Sequence, residues 1–288
     1  MTNFEKNVNA FINELQGFTK MDNVFNPWAD YDKKHDKNGD MPKERRENLE
    51  QYLLKREKAE YLLIAEAPGY QGCHFSGIPM TSERLILTKN NYDLQDLNRT
   101  SDNTKLSKEK IYTEKYSNGR NIAKTVIKNG FAEPTATTVW KQMIDILKIE
   151  PNNFALWNAF PFHPYNKYGY LSNRKPTEEE IKDTVKILEN FINLFEYKKK
   201  IICIGNIANN TVETLKNKKN NISCDVFNVR HPSYGGAKEF RKKLSDIFTI
   251  DNVKAWGFLK PENSISLYNL FYPINVIWCL GIVIEVPP

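Results

Sequence analysis

The sequence predicts an α/β fold, a three-layer α/β/α sandwich around a mainly parallel four-stranded sheet, on three observations. Four short apolar runs, Tyr61–Ala65, Asn153–Ala159, Ile201–Ile204 and Cys224–Val229, have the length and composition of core strands. Amphipathic helical stretches alternate with them, the pattern of a sheet covered on both faces. Segments rich in Pro, Gly and polar side chains follow the apolar runs. In an open parallel sheet, loops at the carboxyl ends of strands gather on one rim, where ligands bind.

Taken in order, residues 1–58 read as a polar, helical extension. A first amphipathic stretch runs from Phe4 to Phe18, and a second helix spans Pro42 to Lys58. The core domain then occupies 59–260. Residues 85–130 are dense in Lys, Asn, Asp and Thr with few apolar anchors, which predicts a surface insertion beside the site. Glu133-Pro134-Thr135 has the form of a helix start, with Thr137 to Leu147 as its body. Thr177-Glu178-Glu179-Glu180 opens an amphipathic helix to about Tyr197, acidic in its first turn and followed by Lys198-Lys199-Lys200, as the helix dipole favours. Gly205-Asn206 turns from the third strand into a helix through Leu215, and Ala237 to Phe248 is a basic helix. The segment 261–288 is an apolar tail. Within it Leu267 to Val286 is long enough to raise a membrane span, but Pro273, Asn269 and Asn275 interrupt it and no basic flank follows, so a peripheral strand or loose tail is expected.

Composition narrows the function classes. The 288 residues hold 40% apolar and 26% charged side chains, enough for a core under a well-hydrated surface. Forty-one Lys and Arg against 35 Asp and Glu give +6, compatible with a polyanionic partner without requiring one. Cys73, Cys203, Cys224 and Cys279 have no metal-ligand spacing, so neither a zinc site nor a disulfide framework is expected. The opening Met1-Thr2-Asn3-Phe4-Glu5-Lys6 has no apolar stretch of the signal-peptide kind, and a cytoplasmic protein is expected.

Three motifs carry the chemistry. They are Ala65-Glu66-Ala67-Pro68-Gly69-Tyr70, the run from Trp157 through Asn158 and Phe160 to Pro164, and Val229-Arg230-His231-Pro232-Ser233-Tyr234-Gly235-Gly236. A carboxylate, an amide and an imidazole, far apart in sequence, are thereby expected in one crevice. At these residues the chain resembles the uracil-DNA glycosylase superfamily, most closely the bacterial branch whose first motif reads Gly-Glu-Ala-Pro-Gly. The resemblance continues through Ser76-Gly77-Ile78-Pro79-Met80-Thr81 and Leu171-Ser172-Asn173-Arg174-Lys175-Pro176-Thr177, and covers roughly residues 60–248.

The resemblance implies a role for each residue. His231 is the donor to the departing base, a contribution of about 3 kcal/mol for preorganised donors of this kind. Asn158 reads the base edge, an amide supplying both donor and acceptor. Glu66 stands where other branches carry Asp or Asn to position the attacking water. Each has a structural reading beside it: a capped turn for His231, a closed buried turn for Asn158, and a helix-capping carboxylate for Glu66. Ala67, Pro68, Gly69, Tyr70, Met80 and Phe160 are expected around the base, Tyr70 either walling the pocket or packing in the core. Met80 replaces the Phe that relatives often stack on the base, which leaves room for a bulkier pyrimidine. DNA contacts are expected from Ser233, Tyr234, Gly235, Lys238, Arg241, Arg174, Lys175 and the helix-start Asn206. Lys242-Lys243 serves equally as a solvated face.

The expected activity is that of a monofunctional DNA glycosylase removing uracil or a related altered pyrimidine, with DNA as partner, no membrane and a monomeric state. No cofactor is expected: the cysteines that hold the iron–sulfur cluster of the best-known branch are absent, so no metal is carried over. Two alternatives are an enzyme acting on modified cytosines of foreign (phage) DNA and a non-catalytic damaged-DNA-binding module. A small-molecule nucleotide-binding α/β protein is more distant.

Overall fold

A computed structural model of the chain describes residues 1–113, 116–219, 222 and 224–249. The apolar tail 261–288 and Cys279 lie outside the described residues. The chain divides into two compact units, Met1–Phe240 and Arg241–Pro288.

Helix α1 (Asn3–Gly17) begins with a reciprocal cap: Glu5 N–H donates to Thr2 Oγ1 at 3.1 Å, and Thr2 N–H donates to Glu5 Oε2 at 2.6 Å. It buries Phe4, Val8, Phe11, Ile12 and Leu15, the three-and-four spacing of one helix face. Strand β1 (Val24–Phe25) follows, then α2 (Met41–Leu54), which stops four residues short of the predicted Lys58. The core strand β2 (Tyr61–Ala65) is buried throughout. Short helices α3 (Cys73–Ser76), α4 (Glu83–Thr88) and α5 (Asn103–Leu106) lead to a hairpin, β3 (Lys110–Thr113) and β4 (Tyr116–Asn121), and to α6 (Lys124–Asn129). Helix α7 (Pro134–Trp140) widens into a π-helical turn over Lys141–Ile146. Next come β5 (Phe154–Asn158), β6 (His163–Pro164) and α8 (Glu178–Leu194), the last opened by the Thr177–Glu180 capping box. Strand β7 (Lys200–Ile204), α9 (Asn206–Lys219), β8 (Asp225–Val229) and α10 (Ala237–Ile247) complete the described chain.

The central sheet has the order β5-β2-β7-β8, all parallel. Alternation along β5 shows why two helical layers are needed. Trp157 meets Phe11 of α1 at 5.1 Å and stacks on Phe191 of α8 at 4.6 Å and 13°. Phe154, on the opposite pleat, meets Trp140 of α7 edge-on at 5.2 Å. Buried β5, β2 and β7 therefore read as apolar runs, interrupted only by Asn158 at the end of β5 and Lys200 at the start of β7, as parallel strands covered on both faces do. At the edge, β8 buries only Val229 fully.

The 85–130 insertion is better anchored than its composition predicts. Leu106, Ile111 and Ile122 form a buried cluster with Tyr70, Phe75, Phe131 and Leu171. Scattered apolar residues suffice here because the cluster draws on the first-motif loop as well. Among the described residues no helix is long and apolar enough to cross a membrane. In the second unit, Arg241, Lys242 and Lys243 are exposed.

Candidate active site

The four strands of the sheet end level. Ala65 pairs with Asn158, Ile64 with Cys203, and Ile204 with Val229. Backbone bonds carry this alignment past the strand ends: Ala159 N–H donates to Ala65 O at 2.8 Å, Phe160 N–H to Glu66 O at 2.9 Å, and Gly205 N–H to Val229 O at 2.9 Å. Glu66, Asn158, Gly205 and His231 therefore emerge on one rim. The strand order reverses between β2 and β7, and a doubly wound sheet opens its crevice at that point.

Glu66 occupies the crevice. Its Oε1 lies 3.4 Å from the backbone nitrogen of Ile207 in the first turn of α9, where the helix dipole favours an anion. Gly205 beneath it has φ +97°, and a Cβ there would come within 2.5 Å of Oε1. Only glycine leaves space for the carboxylate. Asn206, exposed, begins α9 beside this contact.

His231 lies in the loop after β8. Ser233 N–H donates to its Nδ1 at 3.2 Å, and Ser233 Oγ is 2.7 Å from the same atom. With Nδ1 accepting, the neutral ring carries its proton on Nε2. Burial lowers the imidazole pKa, and the Glu66 carboxylate pulls it back up. The two groups thus share one electrostatic environment. The loop turns sharply through Tyr234 (φ +50°) and Gly235 (φ +80°), which leaves Tyr234 97% exposed.

Asn158 is 1% exposed, and its Oδ1 has no hydrogen-bond partner. A buried orphan acceptor costs roughly 1–3 kcal/mol, so it marks a place where a donor belongs. The register and the Phe160–Glu66 bond tie Asn158 to Glu66. Asn158 ends the edge strand β5, and His231 lies in the loop that leaves the other edge strand, β8.

Pocket-wall candidates divide into pinned and diverted. Met80 is buried with φ +48°, a strained value for a non-glycine residue, and its carbonyl accepts from Trp140 Nε1 at 3.1 Å. Trp140 also holds Phe154, which shares a pleat with Asn158, so Met80 and Asn158 belong to one side of the sheet. Phe160 is fully buried and edge-on to Phe162. Pro68 is buried, and Ala67 and Gly69 are half-buried. Tyr70 differs from a pocket wall: its ring packs edge-on against Phe131 at 5.4 Å inside the cluster under the insertion. Apolar neighbours on several sides explain the diversion.

The DNA-contact candidates divide too. Arg174 does not offer a free cation: its guanidinium grips Glu180 through two bonds of 2.8 and 2.6 Å and donates to the carbonyls of Tyr165, Lys175 and Asn23. It pins the loop that leads into α8. Lys175 and Lys238 are exposed, and Ser233 is half-buried.

One buried cluster has no sequence signature. His35 Nδ1 and His74 Nε2 both meet Asp32 Oδ2, at 2.6 and 2.9 Å. His74 Nδ1 lies 3.0 Å from His163 Nδ1. His163 Nε2 faces the Ser172 carbonyl at 2.8 Å and Asn173 Oδ1 at 3.2 Å, and Asn173 Oδ1 also accepts from Tyr70 N–H at 3.0 Å. Two opposed Nδ1 lone pairs at 3.0 Å repel, whereas one shared proton makes the contact a hydrogen bond. Burial and repulsion from His74 push His163 down to about 3. His163 Nε2 faces two oxygen acceptors and so carries that ring's hydrogen, which leaves His163 Nδ1 to accept from His74 Nδ1–H. Burial lowers the His74 pKa, and the adjacent Asp32 carboxylate opposes that effect. Against the upward pull of its own burial, bonds from His35 and His74 hold Asp32 well below the carboxylate range. The relay links the N-terminal extension to the first-motif loop. Its three segments, at 32–35, 74 and 163–173, lie tens of residues apart, so spacing could not reveal it.

Among the described residues no group of three or more His, Cys, Asp or Glu is arranged to hold a metal ion, and Cys73, Cys203 and Cys224 are free thiols.

None of the curated proteins compared matches the chain. Among solved structures, the crystal structure of wild-type SMUG2 from Pedobacter heparinus aligns with a TM-score of 0.55 at 14% identity, covering 86% of this chain and 97% of that one. At such identity the likeness concerns the fold. A sequence profile described as the Uracil DNA glycosylase superfamily matches residues 54–249, which include Glu66, Asn158 and His231. With more than half its length matched, the chain belongs to the uracil DNA glycosylase superfamily.

Proposed function

We propose that the protein is a monofunctional DNA glycosylase that flips uracil or a related altered pyrimidine out of DNA and hydrolyses its N-glycosidic bond. The observation that carries this reading is the shared rim: a carboxylate over the switch point, a neutral imidazole coupled to it, and a buried amide with an unpartnered oxygen.

A base within the stack cannot be reached, so the nucleotide is extruded at a cost of a few kcal/mol. Asn158 Oδ1 accepts from an N–H on the base edge. As the bond from C1′ to the base nitrogen breaks, its electron pair leaves with the base. His231 Nε2–H donates to the oxygen where that negative charge gathers. Glu66 orients the attacking water, offsets positive charge on the sugar and accepts the water's proton. The products are an abasic site and, once the departing anion has taken up a proton, the free base. Met80 supports a second reading, removal of modified cytosines from foreign DNA, because a thioether in the place of a ring would cover a base more loosely.

The test uses labelled oligonucleotides containing uracil, hypoxanthine or modified cytosines, followed by alkaline cleavage at abasic sites. Product from uracil supports the first reading, and product only from a bulky pyrimidine the second. Tight binding without product from any substrate overturns both in favour of a binding module.

A further inference from the structure

A cavity of about 510 Å³ is lined by none of the residues assigned to the proposed reaction. Three segments distant in sequence build it: residues 31–35 of the N-terminal extension, the β3–β4 hairpin, and the 165–171 loop between motif two and Asn173. Each brings at least one tyrosine, and the first two bring lysines. Tyr112 and Tyr168 face each other across segments at 6.4 Å and 14°, and Lys167 Nζ lies 5.3 Å over the Tyr168 ring. Tyr165 and Tyr170 meet edge-on at 4.9 Å. Gly119, with φ +76°, lets the Tyr112 ring pack on the neighbouring strand, since a Cβ there would fall 2.8 Å from it.

The charges are sorted in depth. Lys33, Lys34 and Lys110 are exposed at the rim. Of the two lining acids, Asp32 is fully buried and already engaged by His35 and His74, while Glu109 lies 3.9 Å from His35. The cavity therefore presents aromatic faces within and three lysines at its mouth, with the Glu109 carboxylate as the one part-exposed anion in its lining. That combination suits one chemistry: a planar base to stack and a phosphate to neutralise. The volume falls in the usual range for ligand sites.

We infer that this cavity holds an unpaired nucleotide of the DNA strand, at a site separate from the pocket of the extruded base. The nucleic-acid partner rests on the glycosylase reading and deepens it, making single-stranded or locally opened DNA the preferred substrate. The floor of the cavity is Asp32, from which the buried relay runs to Asn173 and Tyr70 N–H, so the site abuts the support of the first-motif loop.

The experiment measures fluorescence anisotropy of the full chain with labelled oligothymidylate bearing no altered base, with the matching duplex, and with thymidine monophosphate as competitor. The expected result is single-strand binding stronger than duplex binding. It should weaken about tenfold in Tyr112→Ala and be retained in Tyr112→Phe. Lys110→Glu should weaken binding and flatten its salt dependence. Unchanged single-strand affinity in both Tyr112→Ala and Lys110→Glu overturns the inference. So does complete displacement by the mononucleotide at concentrations comparable to the oligonucleotide, which would mark a free-nucleotide site. Because these oligonucleotides contain nothing to excise, absence of base release in the activity test leaves this outcome independent.

Discussion

The Glu66 carboxylate rests on Gly205, with room for a hydrogen and none for a methyl group: a Cβ would sit 2.5 Å from Oε1. Gly205 also holds φ +97°, where any L side chain is strained. Gly205→Ala should therefore displace the carboxylate and strain the turn, lowering turnover at least tenfold and stability by about 1–3 kcal/mol. Glu66→Gln keeps the shape and removes the charge. Its melting temperature should stay near that of the parent while turnover falls a hundredfold or more. Single-turnover base release beside thermal melts separates the two, and undiminished turnover in both variants would remove Glu66 from the reaction.

His231 should titrate below its ordinary value, because burial disfavours the imidazolium. Glu66 acts in the opposite direction, favouring the charged ring. Removing that carboxylate charge must then lower the pKa further. Expected outcomes are a neutral His231 at pH 7, an acid limb of turnover below pH 6.5, and a still lower His231 titration in Glu66→Gln. NMR titration of the ring resonances checks the direction without requiring activity. An upward movement on removing Glu66 would contradict the shared environment.

Asn158→Ala removes an acceptor that has no partner in the free protein. Folding loses a small packing contribution but is relieved of an unpaired buried oxygen, so the melting temperature should change by only a few degrees. Base recognition loses its edge reader. Turnover should fall by two or more orders of magnitude while DNA affinity, dominated by phosphate contacts, stays within a few-fold. Affinity and turnover falling in parallel would instead mean that Asn158 acts through DNA binding.

These contrasts show what the sequence could carry. Strands β2, β5 and β7 were legible to within a residue or two because a doubly covered parallel strand reads as a nearly continuous apolar run, and the edge strand β8 was legible through Val226, Phe227 and Val229. Helix α8 announced itself through a local cap, Thr177 with Glu180. Arg174 was legible as a cation but not as an ion-pair partner, since its position before the cap lies outside the helical spacing that links charges. Tyr70 and the His35–Asp32–His74–His163 relay depend on residues brought together by tertiary structure, such as Phe131 and Asn173. No periodicity encodes those meetings.

Glu133 offers a test of local burial beside the first-motif loop. Its Oε2 is enclosed and unpartnered, and the carboxylate lies against Gly72, where a Cβ would collide with it. Burial raises its pKa from the ordinary carboxyl value of 4.5 to about 7. The native chain therefore holds this proton more tightly than the unfolded one does. As pH rises through the window from 4.5 to about 7, the unfolded chain ionises first, and native stability declines until the folded group has ionised too. Glutamine cannot ionise, so Glu133→Gln lacks this loss. Relative to the parent, the variant should gain little at pH 4.5 and up to about 3 kcal/mol at pH 8, the ceiling set by the pKa displacement. Denaturant unfolding at the two pH values measures the gap, and an equal gap at both would show that the native Glu133 proton is not held by burial.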